Sequence, residues 1–119
     1  MEREKQLEKY LRLRIEERGG ACLKFVSPGQ DGVPDRIVIL PGSRVYFVEL
    51  KTQTGKLSRI QKYQLKKLVD LGQCCCVVYG KPGVVDFLKD IDSWIVGSYV
   101  YGGLEGDLVY DLEDEFDDL

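Results

Sequence analysis

The apolar positions of the chain first follow a four-residue spacing and then gather into short runs. The spacing of Leu7, Leu11 and Ile15 predicts an amphipathic helix that ends at Gly19-Gly20. Apolar runs of strand length follow, separated by turns rich in Gly and Pro. The predicted elements are a helix at 3–18, strands at 21–26, 36–40 and 45–51, a helix at 58–71, a strand at 74–79 and a short helix at 83–91.

The Pro-Gly turn between the second and third predicted strands indicates a β-hairpin. If Gly42 is the centre of the turn, the numbers of paired residues sum to about 84, so Asp35 faces Glu49. Directly opposite residues have Cβ atoms roughly 4.5–5.5 Å apart. Two carboxylates at that distance repel each other and require a cation or a shared proton. Because side chains alternate along a strand, Lys51 points to the same face as Glu49.

An acid pair beside an amine suits metal-dependent phosphate chemistry. Carboxylate oxygens select hard cations, and one or two carboxylates completed by water and substrate phosphate are the usual ligands of Mg²⁺. A neighbouring lysine can position a water molecule or offset charge on a phosphate. The hairpin therefore indicates hydrolysis of a phosphodiester with Mg²⁺ or Mn²⁺. The structural alternative is that Asp35 caps a strand, that Glu49 and Lys51 are solvated, and that Arg36 pairs with one of the acids.

Composition narrows the class of protein. The 119 residues are enough for one domain with its own core, and they include no histidine. This absence excludes a Ser-His-Asp triad, zinc hydrolysis through histidine ligands and a histidine general base. The cysteines, Cys22 and Cys74 to Cys76, lack a C-x-x-C spacing and are expected to be buried core residues. With no membrane-length apolar run and a charged start, we expect a cytoplasmic protein of a bacterial or phage-infected cell.

The net charge of −3 hides two oppositely charged regions. Residues 1–82 contain 16 Lys/Arg and 9 Asp/Glu, which gives +7. Residues 83–119 contain 1 Lys/Arg and 11 Asp/Glu, which gives −10. The first region is basic enough to bind a nucleic-acid backbone, whereas the second is not.

The same hairpin carries a family resemblance. PD at 34–35 followed by ELK at 49–51 is the signature of PD-(D/E)XK nucleases. The longer string GVPDRIVILPGSRVYFVELK, preceded by LKFVSPG and followed by GKLSRIQ, resembles the VRR-NUC family of viral-type replication and repair nucleases. The resemblance implies an α/β fold with an α-β-β-β-α-β core, a mixed sheet flanked by helices. It also implies a homodimeric, phage-type endonuclease that cuts structured DNA, similar to Holliday junction resolvases.

The resemblance also implies roles for individual residues. Asp35 and Glu49 bind the metal ion, with the Leu50 carbonyl as a further ligand, and Lys51 handles the attacking water. Glu8, at the edge of the buried helix stripe, matches a helix acid of junction resolvases and is expected to hold a second metal ion or an outer-shell water, with Glu4 as the next candidate. Gln61 matches a family glutamine that orients the water, although Ser58 and Gln61 also fit a structural capping box. The cations predicted to contact DNA are Lys24, Arg36, Lys56, Arg59 and Lys62.

The last part of the chain falls outside the resemblance. We assign residues 1–91 to the nuclease domain and 92–119 to a C-terminal extension with an acidic tail. This extension is interpreted as a hairpin in the dimer interface, a flap over the site, or a tail that imitates DNA. The dimer interface is favoured because an aromatic set needs burial, namely Trp94, Tyr99, Tyr101 and Tyr110.

Three functions follow from these predictions. The first is a Mg²⁺- or Mn²⁺-dependent DNA endonuclease that acts on branched DNA. The alternative is a catalytically inactive nuclease fold that serves as a DNA-binding or assembly module. A site-specific restriction enzyme is the third, but 119 residues leave little room for a recognition element.

Overall fold

A computed structural model of the chain describes residues 3–103 as a mixed α/β fold. The helices and strands follow each other in nearly the predicted order. They are α1 (Glu4–Glu17), β1 (Ala21–Lys24), β2 (Arg36–Leu40), β3 (Arg44–Lys51), α2 (Arg59–Asp70), β4 (Cys74–Tyr79), α3 (Gly80–Asp92) and β5 (Val100–Tyr101).

The five strands form one sheet in the order β1-β2-β3-β4-β5. The first three strands are antiparallel neighbours, and β4 and β5 are added parallel to β3. One end of the sheet therefore collects the last residues of four strands and the first residue of β2; we call it the site end. The opposite end, where β1 starts and the β2–β3 turn lies, is the far end. The strand β1, which ends at Lys24, lies at one edge of the sheet.

The register of the hairpin is the one predicted from its turn. Arg36 pairs with Val48 and Leu40 with Arg44, so paired numbers sum to 84. A three-residue turn joins the strands, and both Gly42 and Ser43 adopt positive φ, at 83° and 61°. Side chains seldom tolerate this region, which explains the glycine in the turn.

Helices cover both faces of the sheet. The larger core lies between α1, α3 and one face, where Leu11, Ile15 and Phe87 pack against Val38 and other strand residues. The smaller core forms under α2, which packs Leu65 against Cys75, Val77 and Tyr79 of β4. Burial of β4 on both faces agrees with its continuous apolar sequence. The cysteines are free thiols, three buried and Cys74 partly so, as predicted.

Part of the sheet on the α2 side stays open. Leu23, Ile39 and Val45 lie on neighbouring strands and on the face opposite the larger core. Their exposed fractions are 49%, 40% and 42%. None of the helices within residues 3–103 is both long and apolar enough to cross a membrane.

Two features of the helices differ from the sequence prediction. The third helix begins at Gly80, three residues before the predicted start, although Pro82 lies in its first turn. A proline fits there because the first N–H groups of a helix have no intrahelical partner. An amphipathic helix over 58–71 would be expected to bury its apolar residue Ile60, but Ile60 is 45% exposed, because the inner face of α2 carries Gln64 and Leu65 instead.

The segment assigned to the C-terminal extension contributes to the same sheet. Val100 and Tyr101 form β5, parallel to β4, rather than one arm of an antiparallel hairpin. Tyr101 is 9% exposed and packs on Phe87, so its own chain buries it. Trp94 and Tyr99 remain exposed. The second predicted arm, which includes Tyr110, lies outside the described residues.

Candidate active site

The hairpin brings Asp35 and Glu49 together at the site end. Asp35 directly precedes β2, and the pairing of Arg36 with Val48 places it opposite Glu49. Its carboxylate crosses to β3, where Oδ1 accepts a hydrogen bond from the Leu50 N–H at 3.1 Å. Asp35 is anchored through its carbonyl as well, which accepts a bond from the Phe25 N–H at 2.9 Å. The acid pair predicted from the turn is therefore present.

Glu49 is a buried acid with an unfavourable charge environment. Only 4% of the residue is exposed. Burial, as the largest cause, and the nearby charge of Asp35 together raise the pKa of the Glu49 carboxyl to about 8, although Lys51 and Arg36 act in the opposite direction. In the absence of another cation, this carboxyl therefore holds its proton at neutral pH.

The pKa of Asp35 is also raised, chiefly by burial. The Leu50 N–H and the charge of Arg36 partly offset this effect, because both favour the ionised carboxylate. Asp35 and Glu49 thus both need additional positive charge nearby if their carboxylates are to be ionised at their ordinary pKa. A cation placed between them would lower the pKa of both.

Lys51 is the amine of this site. It ends β3 two residues after Glu49, so both side chains leave the strand on the same face. Lys51 is half-buried, and its charge stabilises the ionised form of Glu49. Leu50, between them, is fully buried on the other face.

Arg36 engages the acids of the site rather than the solvent. Its Nη1 donates to the Asp35 carbonyl at 2.7 Å and lies 3.5 Å from Asp35 Oδ2. Its Nε lies 3.9 Å from Glu8 Oε1, and only 13% of the side chain is exposed. These contacts make Arg36 a poor DNA contact and a good support for Asp35. The sequence already allowed this arrangement, because pairing of Arg36 with one of the acids was part of the structural alternative.

The two candidate acids of α1 are placed differently. Glu8 pairs with Arg36 and with Arg12, whose Nε lies 3.6 Å from Glu8 Oε1. Glu4 is exposed in the first turn, and its charge raises the pKa of both Asp35 and Glu49. Glu4 therefore acts electrostatically on both acids, whereas Glu8 is partly neutralised by two arginines.

Gln61 forms the capping box that its spacing allowed. The Ser58 N–H donates to Gln61 Oε1 at 2.9 Å, and the Gln61 N–H donates to Ser58 Oγ at 3.2 Å. One turn later, the buried Gln64 donates from Nε2 to Gln30 Oε1 at 3.2 Å, which ties α2 to the loop before Asp35. Gln64 is not among the residues predicted from the sequence, although a polar residue on the apolar stripe of α2 was a usable signal.

The remaining predicted DNA contacts lie around the site end. Lys24 ends β1 and is exposed; it pairs in register with Arg36. Lys56 is exposed before α2, and Arg59 is exposed in its first turn. Lys62 is partly buried one turn further on. All three helices begin at this end, so their positive N-terminal dipoles add to the cationic side chains.

The donor set fits a hard divalent ion. No group of three or more Asp, Glu, Cys or His side chains able to hold a metal ion occurs among residues 3–103. Two carboxylates completed by water and phosphate oxygen are nevertheless a usual arrangement for Mg²⁺. The mutual repulsion of Asp35 and Glu49 is the observation that favours a cation there.

Comparison with known proteins also indicates a nuclease. No family model matches the chain. The chain is 43% identical over 70 residues to a protein described as "Putative nuclease p44" from Acyrthosiphon pisum secondary endosymbiont phage 1. The aligned residues cover 59% of this chain and 75% of that relative. A solved structure described as a VRR_NUC domain superposes with a TM-score of 0.69 at 30% identity, covering 72% of this chain and 94% of that one.

Fold, hairpin signature and structural match together define a nuclease of the PD-(D/E)XK class. Within that class, the chain belongs to the VRR-NUC family. The resemblance read from residues 34–35 and 49–51 is thereby confirmed.

Proposed function

We propose that this nuclease is a Mg²⁺- or Mn²⁺-dependent DNA endonuclease that prefers branched DNA such as a four-way junction. The observation that carries the proposal is the side-by-side placement of Asp35 and Glu49, fixed by the hairpin register and by the Leu50 N–H. In this proposal Asp35 and Glu49 hold the ion, together with the Leu50 carbonyl. When bound there, such an ion would supply the positive charge that lowers the pKa of a water molecule and offsets charge on the phosphate.

The protein side chains position the reacting groups. The oxygen of a water molecule bonds to phosphorus, the bond from phosphorus to the 3′ oxygen breaks, and the products carry a 5′ phosphate and a 3′ hydroxyl. Lys51 holds the water and offsets phosphate charge, because it shares the strand face of Glu49. Gln61 has amide N–H donors that its capping bond does not use, and we assign them to orienting the water.

The supporting residues are assigned by their contacts. Arg36 is a positioning residue that holds Asp35 by its carbonyl and carboxylate. Glu4 is the α1 acid that we place beside the ion or its outer water, because its charge acts on both buried acids. Glu8 stays a candidate for the same place if its pairs with Arg12 and Arg36 open. Lys24, Lys56, Arg59 and Lys62 contact the phosphate backbone.

A homodimer suits this function. Two copies related by a two-fold axis present two sites to two strands of a junction. The exposed apolar residues of the open sheet face, together with Trp94 and Tyr99, are surfaces that a second copy can cover. Measurement of the mass in solution tests this part directly, and a monomer at the concentration of the cleavage assay would contradict it.

Cleavage of end-labelled DNA tests the activity. The substrates are a four-way junction and a linear duplex of the same arm sequence, each with Mg²⁺ and with EDTA. We expect faster cutting of the junction with Mg²⁺, no cutting with EDTA, and a loss of about 100-fold or more in Lys51→Ala. Lys89→Ala is the matched control, because this exposed lysine lies on α3 away from the site.

The contrary results are equally clear. Equal rates for Lys51→Ala and the parent would remove the assignment of the site. Junction binding without any cleavage in Mg²⁺ or Mn²⁺ would favour a DNA-binding module instead. Equal cutting of junction and duplex would leave a nuclease without the proposed structural preference.

A further inference from the structure

The loop between β1 and β2 leads directly to the acid pair. Residues 25–35 form neither helix nor strand, and Asp35 is the last of them. The two ends of the loop are tied to each other, because the Phe25 N–H donates to the Asp35 carbonyl at 2.9 Å. Within the loop, the Gln30 N–H donates to the Ser27 carbonyl at 3.1 Å. A contact that fixes the middle of this loop therefore also restricts the backbone that carries Asp35.

The middle of the loop contacts α2 at two points. Gln64, which is 5% exposed, donates from Nε2 to Gln30 Oε1 at 3.2 Å. Gly32 lies against the peptide group of Ile60, where a Cβ would come within 2.9 Å of the Ile60 carbonyl carbon and oxygen. Its φ of 81° is also a value that side chains seldom adopt, so the close approach needs a glycine. We call these two contacts the loop–α2 contacts.

The loop–α2 contacts lie on either side of Gln61. In an α-helix each N–H bonds to the carbonyl four residues earlier, so Ile60 and Gln64 belong to one turn, and Gln61 lies within it. Gln61 is also bonded to Ser58 through the capping box. The turn of α2 that carries Gln61 is therefore attached through the loop to Asp35.

A buried glutamine is seldom found where a residue only supports packing. On the inner face of α2, Leu65 packs against β4, and an apolar residue in place of Gln64 would gain burial without needing a partner. A buried amide must instead be hydrogen-bonded, and that bond has a preferred length and direction. The bond of Gln64 to Gln30 therefore sets one separation between α2 and the loop, whereas apolar packing tolerates small shifts.

We propose that Gln64 is a positioning residue of the nuclease, and that the loop–α2 contacts fix Gln61 relative to Asp35. The proposal rests on the function proposed above, since it takes Gln61 to orient the attacking water and Asp35 to hold the ion. A displacement of about 1 Å between reacting groups can slow an enzymatic reaction about 100-fold, so this separation matters for the rate. Gln64 itself is assigned no contact with DNA and acts through Gln61.

Gly32→Ala tests the position of the loop, and Gly72→Ala is its matched control. Both glycines have a φ of 81°, so an alanine is equally strained at either position. A Cβ on Gly72 would meet no atom of the described residues within 4 Å beyond its chain neighbours, whereas a Cβ on Gly32 meets the Ile60 backbone. Only Gly32→Ala should therefore push the loop away from α2. We expect it to lower the kcat of junction cleavage about tenfold at unchanged KM, and Gly72→Ala to keep the parent kcat.

Gln64→Met tests the amide, because it keeps the length of the side chain and removes the donor. We expect a kcat about tenfold lower at unchanged KM. Gln30→Glu keeps an oxygen acceptor for Gln64 Nε2 and should retain the parent kcat. Leu68→Ala, which removes apolar packing of α2 one turn later, should lower the melting temperature without this loss of kcat. Equal losses of kcat in Gln64→Met and Leu68→Ala would show that only the general packing of α2 matters, and would overturn the proposal.

The double variant decides whether Gln64 acts through Gln61. In a Gln61→Ala background, Gln64→Met should cause no further loss of kcat, because the amide that it positions is already missing. Losses that add in the double variant would overturn a route through Gln61.

Crystal structures test the geometry without any need for cleavage. In the metal-free protein, we expect the separation of the Gln61 and Asp35 side chains to change by about 1 Å in Gln64→Met and Gly32→Ala, and to match the parent in Gly72→Ala. A parent that does not cut DNA, with this change in the variants, would contradict the endonuclease and leave the positioning intact. An unchanged separation in both variants would overturn the positioning, whether or not the parent cuts DNA.

Discussion

The two ends of the β2–β3 hairpin both bury charged side chains, but at the far end hydrogen bonds and an aromatic ring of the protein stabilise the buried charge, whereas at the site end two acids repel each other. At the far end, Arg44 is 9% exposed and donates to the carbonyls of Pro41 at 3.1 Å and Ile91 at 2.7 Å. Trp94 stacks on its guanidinium at 3.5 Å. At the site end, Asp35 raises the pKa of Glu49 instead of stabilising its charge.

The contrast separates a charge that stabilises the fold from the acid pair that we propose to be functional. Arg44 donates to the Ile91 carbonyl at the C-terminus of α3, where the helix dipole favours a cation. Asp35 and Glu49 have Arg36 and Lys51 near them, yet the pKa of both acids remains raised. An enzyme that binds a divalent ion must keep its ligands in this incompletely neutralised state, because full neutralisation by the protein would leave no affinity for the ion.

Removing the charge of Asp35 at the site end should have the largest effect on activity. Asp35→Asn keeps the shape of the side chain and an acceptor for the Leu50 N–H, but it removes the negative charge of Asp35. We expect cleavage to fall by about 10³-fold and Mg²⁺ uptake to be lost, with no loss of stability. Single-turnover rates, calorimetric titration and thermal unfolding measure the three quantities. Asp86→Asn, an exposed acid of α3, is the control.

Removing the charge of Arg44 at the far end should lower the stability of the fold and leave Mg²⁺ binding at the site end unchanged. Arg44→Leu leaves the carbonyls of Pro41 and Ile91 without their donor, so we expect a loss of about 2–4 kcal/mol in the free energy of unfolding. Urea titration measures it, and the fluorescence of Trp94, the single tryptophan, reports on the stack.

The control for this change is Arg12→Leu, an exposed arginine with surface ion pairs on α1, whose loss should cost less than about 1 kcal/mol. Mg²⁺ affinity of folded Arg44→Leu should match that of the parent. A destabilisation no larger than that of Arg12→Leu would show that Arg44 is not the structural counterpart of the site.

Glu49→Gln should remove the buried charge of Glu49 that destabilises the site end, so that this end, like the far end, no longer contains a charge repelled by its neighbours. The pKa of Glu49 is about 8 in the folded protein against an ordinary value of 4.5, so folding raises its proton affinity. The parent therefore loses stability as pH rises from 4.5 to 8, while the variant lacks this loss. We expect the metal-free variant to be more stable by about 1–3 kcal/mol at pH 8 and equal near pH 4.5.

Urea titrations across this pH range, with and without Mg²⁺, measure the effect. Mg²⁺ should stabilise the parent at pH 8 and have no effect on Glu49→Gln. Glu17→Gln, an exposed acid at the end of α1, should show no such change with pH. A parent and a Glu49 variant with parallel pH profiles would mean that burial of Glu49 carries no electrostatic cost.

The sequence was sufficient for those parts of the fold that depend on local periodicity. The stripe of Leu7, Leu11 and Ile15 and the turn at Gly42 predicted α1 and the hairpin register, since spacing and turn geometry fix them. The placement of Val100 and Tyr101 depends on a parallel pairing with β4, and short parallel strands have no local signal.

The relative positions of site residues on one strand could be predicted from the sequence. The positions of site residues on separate elements were harder to predict. Alternation along β3 gave the shared face of Glu49 and Lys51. The choice between Glu4 and Glu8 required the rotation and tilt of α1 against the sheet, which residue spacing alone does not determine. Arg36 was assigned to DNA because exposed and buried arginines look alike in a sequence, whereas the structure commits its guanidinium to Asp35 and Glu8.

The smallest expected effect concerns Gln61, where a structural and a catalytic role coincide. Ser58→Ala and Gln61→Ala each break the capping box, so each should cost about 1 kcal/mol in the free energy of unfolding. Only Gln61→Ala also removes the amide donors assigned to the attacking water. We therefore expect Gln61→Ala to slow cleavage about tenfold more than Ser58→Ala at equal stability. Equal rates in the two variants would assign Gln61 to the cap alone, and the charges of the site end would then act without a glutamine partner.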